Sequence, residues 1–373
     1  MTSHSTRIVV VKTWWWQGLL RWTTVLPIVA AVALIFTWGR HPVAWVLVVE
    51  AILLVASVLA AVQHAEVIAH RVGEPFGSLI LAVAVTIIEV ALIVTLMVSG
   101  KGDTSTLARD TVFAAVMLTM NGIVGLSLLV TATKYKLAVF NSEGTGSALG
   151  SVVLLATLTM VFPRFTTSES GGRFAESQLI FVAVSSLVIY GLFVFTQTVR
   201  HRDFFLPPGV EEDVDAHDNL PSKRATLAAV VLLLISLAAV VGLTKIESPA
   251  IEGAVRWMGF PESFVGVIIA VMVLLPESIT AVRTAVEDRV QISMNLGYGS
   301  AMASIGLTIP TLAIASHWLP IQLTLGLEPL QIVLLAVSAV VAVLTVVPGR
   351  AKTLHATLLL VLLAAFVFLA AVP

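Results

Sequence analysis

Apolar and polar positions occur along this chain in long blocks, and each apolar block is about as long as a bilayer is thick. A transmembrane helix needs about 20 consecutive apolar residues to cross the hydrocarbon core. Runs close to that length, separated by polar or turn-forming residues, predict eleven helices: 24–38, 43–62, 76–99, 108–131, 147–163, 175–199, 225–245, 262–286, 292–316, 326–347 and 353–372. The pattern therefore predicts an all-α membrane protein with about eleven transmembrane helices.

The longest polar segment divides the chain. Residues 200–224, "RHRDFFLPPGVEEDVDAHDNLPSKR", contain prolines and clustered acids that are typical of a solvated linker. The acids match no calcium-binding loop, and a regulatory cation patch remains the alternative. We predict an N-terminal arm and first helix in 1–40, a five-helix repeat in 41–199, the acidic cytoplasmic linker in 200–224, and a second five-helix repeat in 225–373.

Two similar halves that each cross the membrane an odd number of times must be inverted relative to each other. The stretch "GSLILAVAVTIIE" ends at Glu89 and "GVIIAVMVLLPE" ends at Glu277, each in the second helix of its half. An acid at the centre of a transmembrane helix costs on the order of 2.5–3.5 kcal/mol on insertion scales, which usually marks a function. We expect the two glutamates to converge near the midplane, with simple hydrogen bonding between helices as the alternative.

Basic residues in short loops stay on the cytoplasmic side of a membrane. A cytoplasmic N-terminus places 14 of the 21 Lys and Arg residues on that side of the predicted eleven spans. We therefore expect a multi-pass protein of a bacterial inner membrane with its N-terminus in the cytoplasm.

Composition agrees with this setting. Hydrophobic residues make up 58% of the chain, charged residues 12%, and the mean hydropathy is +1.01. A net charge of −1 argues against a nucleic-acid partner, and the absence of cysteine removes disulfides and thiolate metal sites. The predicted partners are the lipid bilayer, inorganic cations and protons, and a homo-oligomer is compatible with the sequence.

Carboxylates with hydroxyl and amide oxygens around them make a shell suited to a hard cation, for which protons would compete. Pro276 withholds an amide proton directly before Glu277, so we expect a bend or break there. Helix packing is the competing interpretation for each polar residue that could support the site. These predicted supporting ligands are Thr86, Ser278, Asn295, Ser300 and Asn121.

Three further polar residues lie in the second apolar run or at its end. Glu50 is either part of an ion path or paired within the bundle, and His64 and Glu66 are either vestibule residues or ordinary interfacial ones.

The runs "HAEVIAHRVGEPFGSLILAVAVTIIEVALI" (64–93) and "PESITAVRTAVEDRVQISMNLGYGSAMASIGLTIP" (276–310) resemble the calcium/proton exchangers of the cation/calcium antiporter superfamily, most closely the bacterial ChaA-type branch. The resemblance covers most of the chain. It implies that Glu89 and Glu277 are the essential acids of one cation site. It also implies exchange of cytoplasmic Ca²⁺ for external protons without a cofactor, with the long helices at 43–69 and 225–245 as the moving gate.

The chain departs from the family's wider motif. Glycine and asparagine ahead of each glutamate are replaced by Val85 and Thr86 in one half and by Val273 and Leu274 in the other. A histidine that is frequent after the second glutamate is Ser278. Exchange of Na⁺ or K⁺ for protons therefore remains an alternative to Ca²⁺.

Two other classes of function compete with an exchanger. An intramembrane enzyme could use paired carboxylates, but aspartic proteolysis needs aspartates within the helices, and we expect none in the apolar spans. The phosphate-binding, metallopeptidase and serine-hydrolase motifs are absent. A cation channel would also place oxygens at the midplane, but inverted halves with titratable acids favour coupled exchange.

Overall fold

The computed structural model describes residues 14–40, 43–73, 76–100, 104–207, 220–319 and 321–373, with side chains from Trp22 onward. The first part of the predicted N-terminal arm and five of the six acids of the predicted linker lie outside the described residues. Those five acids are Glu211, Glu212, Asp213, Asp215 and Asp218.

The described residues form thirteen α-helices and two short strands, numbered in chain order. The helices are α1 (Trp14–Thr37), α2 (Ala44–Val72), α3 (Phe76–Ser99), α4 (Leu107–Met117), α5 (Val124–Tyr135), α6 (Ser142–Ala156), α7 (Glu176–Phe195), α8 (Lys223–Trp257), α9 (Phe264–Val286), α10 (Val290–Ala303), α11 (Ile309–Trp318), α12 (Pro329–Val346) and α13 (Thr353–Ala371). The strands are β1 (Ala138–Val139) and β2 (Arg350–Ala351), which pair antiparallel.

Short π-helical and 3₁₀ turns extend or join these helices. π turns at Leu118–Ile123 and Ser304–Thr308 join α4 to α5 and α10 to α11, so each pair forms one continuous rod. A π turn and a 3₁₀ turn, Thr157–Val161 and Phe162–Arg164, extend α6, and a π turn at Thr196–Arg200 extends α7. A separate 3₁₀ turn follows at Arg202–Phe205.

The predicted number of helices is confirmed when each rod is counted as one helix. In the part of the chain that the structure describes, ten helices are long and apolar enough to cross a membrane, and α1 adds a shorter apolar stretch over Trp22–Thr37. Five long helices precede the central polar segment and five follow it. The protein is a multi-pass membrane protein, and the exact limits of its two repeats stay a prediction.

Two helices continue past residues at which the sequence predicts an end or a break. Lys245, Glu247 and Pro249 interrupt the apolar run of α8, yet the helix continues for 35 residues through Pro249. It packs along α2, and its buried residues extend as far as Val255. α9 also continues through Pro276, so the break that we expected there as one alternative is absent.

The first part of the predicted linker is partly buried. Phe205 is buried and packs edge-on against Phe193 of α7, with ring centroids 5.7 Å apart. The chain after α7 is therefore anchored to the bundle at Phe205.

Two apolar clusters make up the core. The first cluster contains residues of α4, α5, α6, α7, α10, α12 and α13. The second contains residues of α1, α2 and α8 and of parts of α3 and α9. The second helix of each half packs against the third helix of the other half: α9 against α4 and α5, and α3 against the π turn of the α10–α11 rod. These contacts between the two halves bring residues from both of them to the centre of the bundle.

Candidate functional site

Glu89 of α3 and Glu277 of α9 line the same cavity, which has a volume of about 370 Å³. Only 3% of Glu89 and 8% of Glu277 is exposed. Because α3 and α9 belong to opposite halves, one acid from each half reaches a common space inside the bundle.

Two hydroxyl groups hold Glu89. Ser304 Oγ donates to Glu89 Oε1 at 2.5 Å, and Thr308 Oγ1 donates to Oε2 at 2.9 Å. Both hydroxyls lie on the π turn between α10 and α11. π turns are rare and occur mostly at functional sites. Each carboxylate oxygen has two lone-pair sites, so Glu89 keeps acceptor capacity for a cation or a proton.

Glu277 is held less completely. Its Oε2 is buried and has no hydrogen-bond partner among the described residues. Pro276 lacks an amide hydrogen, so the carbonyl of Met272, four residues earlier, loses its usual helical donor. Glu66 and Glu89 line the same cavity as Glu277. An unpartnered carboxylate oxygen beside other acids is a position that a cation or a proton would stabilise.

Three of the predicted supporting ligands line the cavity: Thr86, Asn295 and Ser300. Thr86 Oγ1 is buried and has no partner among the described residues, which leaves its oxygen free for a ligand. The Asn295 amide is already used, since its Nδ2 donates to the Phe205 carbonyl at 2.6 Å and its Oδ1 accepts from Gln291 Nε2 at 2.8 Å. Asn295 therefore lines the cavity and also fixes α10 to the segment after α7.

The other two predicted ligands lie elsewhere in the structure. Ser278 is not among the residues that line the cavity, and its Oγ donates to the Leu274 carbonyl of its own helix at 2.7 Å. Asn121 Nδ2 donates to Ser338 Oγ at 3.0 Å, also away from the cavity. Both side chains thus bond within the bundle in this structure, and their role as ligands stays a prediction.

The three residues predicted to lie on an ion path occupy different places in the structure. Glu66 lines the cavity, whereas Glu50 and His64 do not. His64 Nε2 donates to the Thr23 carbonyl at 3.1 Å and so fixes α2 to α1. Glu50 is buried, and neither of its carboxylate oxygens has a partner among the described residues.

Sequence reasoning missed the role of Thr308. Neither Ser304 nor Thr308 is among the predicted supporting ligands, although both hold Glu89. A signal was present, because residues four apart lie on one face of a helix and both are hydroxyl residues in an apolar run. The expectation that no aspartate lies within the spans is also wrong. Asp110 is buried in the first turn of α4, where Arg109 Nε lies 2.8 Å from its Oδ1.

The charged side chains that line the cavity in the described part of the chain are all acidic. The cavity is lined by three acids, Glu66, Glu89 and Glu277, and by no basic residue in the part of the chain that the structure describes. Within the same described residues, no three acidic, histidine or cysteine side chains are grouped closely enough to hold one metal ion. Acids without a basic partner, with hydroxyl and carbonyl oxygens around them, form the kind of environment that suits protons or a hard cation.

Comparison with known proteins agrees with this geometry. The family described as "Sodium/calcium exchanger protein" matches residues 42–199 and 228–372. A putative ionic transporter of Sinorhizobium fredii is 41% identical over 94% of this chain and 96% of its own length. The sodium-potassium/proton antiporter ChaA of Escherichia coli is 33% identical over 92% of this chain and 94% of its own length.

Solved structures show the same fold. The native structure of YfkE superimposes with a TM-score of 0.69 at 16% identity, over 95% of this chain and 100% of that one. The H⁺/Ca²⁺ exchanger CAX gives a TM-score of 0.70 at 17% identity, over 95% and 92% of the two chains. With two halves matched and relatives covered over nearly their whole length, the chain belongs to the sodium/calcium exchanger protein family.

Proposed function

We propose that the protein is a secondary active antiporter of the cell membrane that exchanges cytoplasmic Ca²⁺ for external protons, with Glu89 and Glu277 as the shared binding site. One observation carries the proposal: two buried acids from opposite halves line one cavity that has no basic residue among its described lining. Protons or a cation are the species that can neutralise such a pair.

Charge balance favours a divalent cation. Two ionised carboxylates match the charge of Ca²⁺, and two protons match them equally well, so each ion can replace the other without leaving net charge in the site. Ca²⁺ takes about 6–8 oxygen ligands. Oxygen donors are supplied by Glu89, Glu277, the free hydroxyl of Thr86 and the hydroxyl of Ser300, with water for the remainder.

The position of the cavity supports an inward-facing state. Its lining runs from Glu89 and Glu277 to Glu66 near the end of α2, Ser78 near the start of α3 and Ile292 near the start of α10. These helix ends carry Arg71, in the last turn of α2, and Arg289, directly before α10, which favours the cytoplasmic side, as does a cytoplasmic N-terminus.

A smaller cavity lies where α3 and α8 end and α4 and α9 begin. Its volume is about 50 Å³, and its lining includes Leu96, Thr106, Glu252 and Ser263. In the proposed cycle, protons enter from this side after it opens and displace the cation, and the larger cavity closes in turn. Movement of α2 and α8 against the remaining helices would alternate the access.

Na⁺ or K⁺ exchange for protons is the second candidate. It is supported by the Escherichia coli relative, which is a sodium-potassium/proton antiporter, and by the few polar ligands in the cavity. A monovalent ion would leave one of the two acids protonated, so one proton would be exchanged per cation. Stoichiometry therefore separates the two candidates.

The test is transport by the purified protein in liposomes that carry an internal pH indicator. We expect Ca²⁺ to release protons in the wild type and neither Glu89→Gln nor Glu277→Gln to support the exchange. Glu176→Gln is the matched control, because Glu176 is an exposed acid in the first turn of α7. Undiminished exchange in either site variant would overturn the site, and proton release by Na⁺ or K⁺ but not by Ca²⁺ would favour the second candidate.

A further inference from the structure

A second pair of buried acids lies between α2 and α8, outside the transport cavity. Glu50 of α2 is 1% exposed and Glu247 of α8 is 3% exposed. Both carboxylate oxygens of Glu50 and Oε1 of Glu247 are buried without a hydrogen-bond partner among the described residues. The two helices pack along each other, and Arg71 at the end of α2 donates to the Pro221 carbonyl just before α8 at 3.1 Å. The helices are therefore antiparallel, and Glu50 and Glu247 both lie towards the other end of the pair.

Both acids continue the apolar stripes by which the two helices pack. On α2, Glu50 shares a face with Leu53 and Leu54, three and four residues later, and on α8 Glu247 shares a face with Leu243, four residues earlier. All three leucines belong to one buried cluster. Residues on the opposite side of α2, such as Ile52, are exposed. The two acids therefore point into the interface between the helices and away from lipid.

No basic side chain neutralises the pair within the described residues. Glu50 and Glu247 appear in none of the ion pairs there. The Lys245 ammonium, two residues from Glu247, lies 5.0 Å from the centre of the Trp38 ring. The described part of α1 from Trp22 to Thr37 carries no titratable group.

The remaining titratable groups on the surrounding helices have other positions. On α2, His64 is bonded to Thr23, and Glu66 lines the transport cavity with Glu89 of α3 and Glu277 of α9. On α8, Glu252 accepts from Ser248. The rest lie towards helix ends: His70 and Arg71 on α2, Lys223, Arg224 and Arg256 on α8, and Arg283 on α9.

Two ionised carboxylates in one buried space repel each other and lose their hydration, so the pair is stable when a proton lies between them. We propose that Glu50 and Glu247 form a second proton-binding site, separate from the transport site, in which one carboxyl group donates its hydrogen to the other carboxylate. The shared proton holds α2 against α8. Loss of that proton leaves two like charges in the interface and drives the helices apart.

The site lies at the other end of α2 from the transport cavity. Glu50 and Glu66 are 16 positions apart in one helix, which corresponds to about 24 Å along its axis. The second site therefore senses protons at the side opposite the larger cavity. It would link external pH to the contact between the two helices without contacting the transported cation.

The test measures the separation of α2 and α8 as a function of pH. The chain has no cysteine, so Trp45→Cys and Trp257→Cys introduce two unique labelling positions. These residues are 70% and 87% exposed, at the start of α2 and the end of α8. Spin labels there report the distance by double electron–electron resonance in the intact protein. We expect one narrow short distance at acidic pH and a longer component at alkaline pH.

Three further samples make the result decisive. In the Glu50→Gln/Glu247→Gln protein, whose site stays neutral, we expect the short distance at every pH. Glu143→Gln is a matched control that keeps the response, because Glu143 is an exposed acid in the first turn of α6. A Glu89→Gln/Glu277→Gln background must also keep it, since that background removes only the transport acids. A distance that does not change with pH, or a pH response that survives the Glu50→Gln/Glu247→Gln substitutions, would overturn the proposal. Restoration of the short distance by Na⁺ at alkaline pH would overturn it in favour of a metal-cation site.

Discussion

Ser304 donates a hydrogen bond to Glu89 across 215 positions of sequence, from the π turn of the second half to the acid of the first. The bond joins two helices that no local pattern in the sequence would place together. It sets the orientation of one of the two acids that line the central cavity.

Removal of the two hydroxyl donors should weaken cation binding. A hydrogen bond to a charged group contributes about 1.5–3 kcal/mol, and about 1.4 kcal/mol corresponds to a factor of 10 in an equilibrium constant. We expect Ser304→Ala and Thr308→Val each to lower the apparent affinity for the transported cation by roughly tenfold or more. The apparent affinity is measured from the transport rate in liposomes as a function of cation concentration.

Thr311→Val is the control for these substitutions. Thr311 lies on the same rod, but it is exposed and its hydroxyl donates to the Leu307 carbonyl. An unchanged affinity in Ser304→Ala, or an equal loss in Thr311→Val, would show that the hydroxyls do not support the site.

The free hydroxyl of Thr86 should matter to binding but not to stability. Thr86 lies one helical turn before Glu89, and its Oγ1 has no partner among the described residues. Thr86→Val keeps the shape and removes only the oxygen, so we expect a lower cation affinity with an unchanged unfolding temperature. Thr159→Val is the control, because the Thr159 hydroxyl is satisfied by the Leu155 carbonyl. Equal affinities for Thr86→Val and the wild type would exclude Thr86 as a ligand.

Gly266 allows α9 to lie directly against α4. A Cβ atom at this position would be 2.7 Å from the Thr111 backbone nitrogen and 2.8 Å from the Asp110 carbonyl carbon. Overpacking of this kind costs about 1–3 kcal/mol, so Gly266→Ala should lower the unfolding temperature and displace the helix that carries Glu277. In contrast, Gly253→Ala meets nothing within 4 Å on α8 and should be neutral or stabilising. Thermal unfolding in detergent compares the two, and equal stability would contradict the close approach.

The buried pair of Arg109 and Asp110 fixes α4 to the segment before α12. Arg109 also donates to the Gly326 carbonyl at 3.1 Å and lies 3.3 Å from Glu328. Loss of one partner of a buried pair costs about 3–5 kcal/mol, because the remaining charge is uncompensated. We expect Arg109→Met to destabilise the protein strongly, and the added Asp110→Asn to recover part of the loss.

The exposed Arg350 provides the control for this ion pair. Unfolding in a denaturant series measures the three proteins, with Arg350→Met expected to resemble the wild type. A stability of Arg109→Met close to that of Arg350→Met would show that the pair contributes little.

The helices could be predicted from sequence because their length and apolarity are local properties. The pairing of Glu89 with Glu277 was inferred from the repeat, and their placement in one cavity is compatible with it. Thr86 is three residues from Glu89 and shares its face, whereas Ser278 is adjacent to Glu277 and is rotated about 100° around the helix, away from the cavity.

Other features depend on contacts between distant segments and could not be predicted in this way. The continuation of α8 beyond Lys245 follows from its packing along α2. The β1–β2 pairing joins the segment after α5 to the one before α13. The burial of Glu247 opposite Glu50 likewise depends on how two helices from different halves align.

The most direct test of the central claim is the number of protons released when one cation binds to the purified protein. Calorimetry in buffers of different ionisation enthalpy gives that number together with the binding stoichiometry. The account predicts one Ca²⁺ bound per chain with net release of protons, and loss of both signals in Glu89→Gln and in Glu277→Gln. Full binding with unchanged proton release in either variant would show that the two acids do not form one shared site.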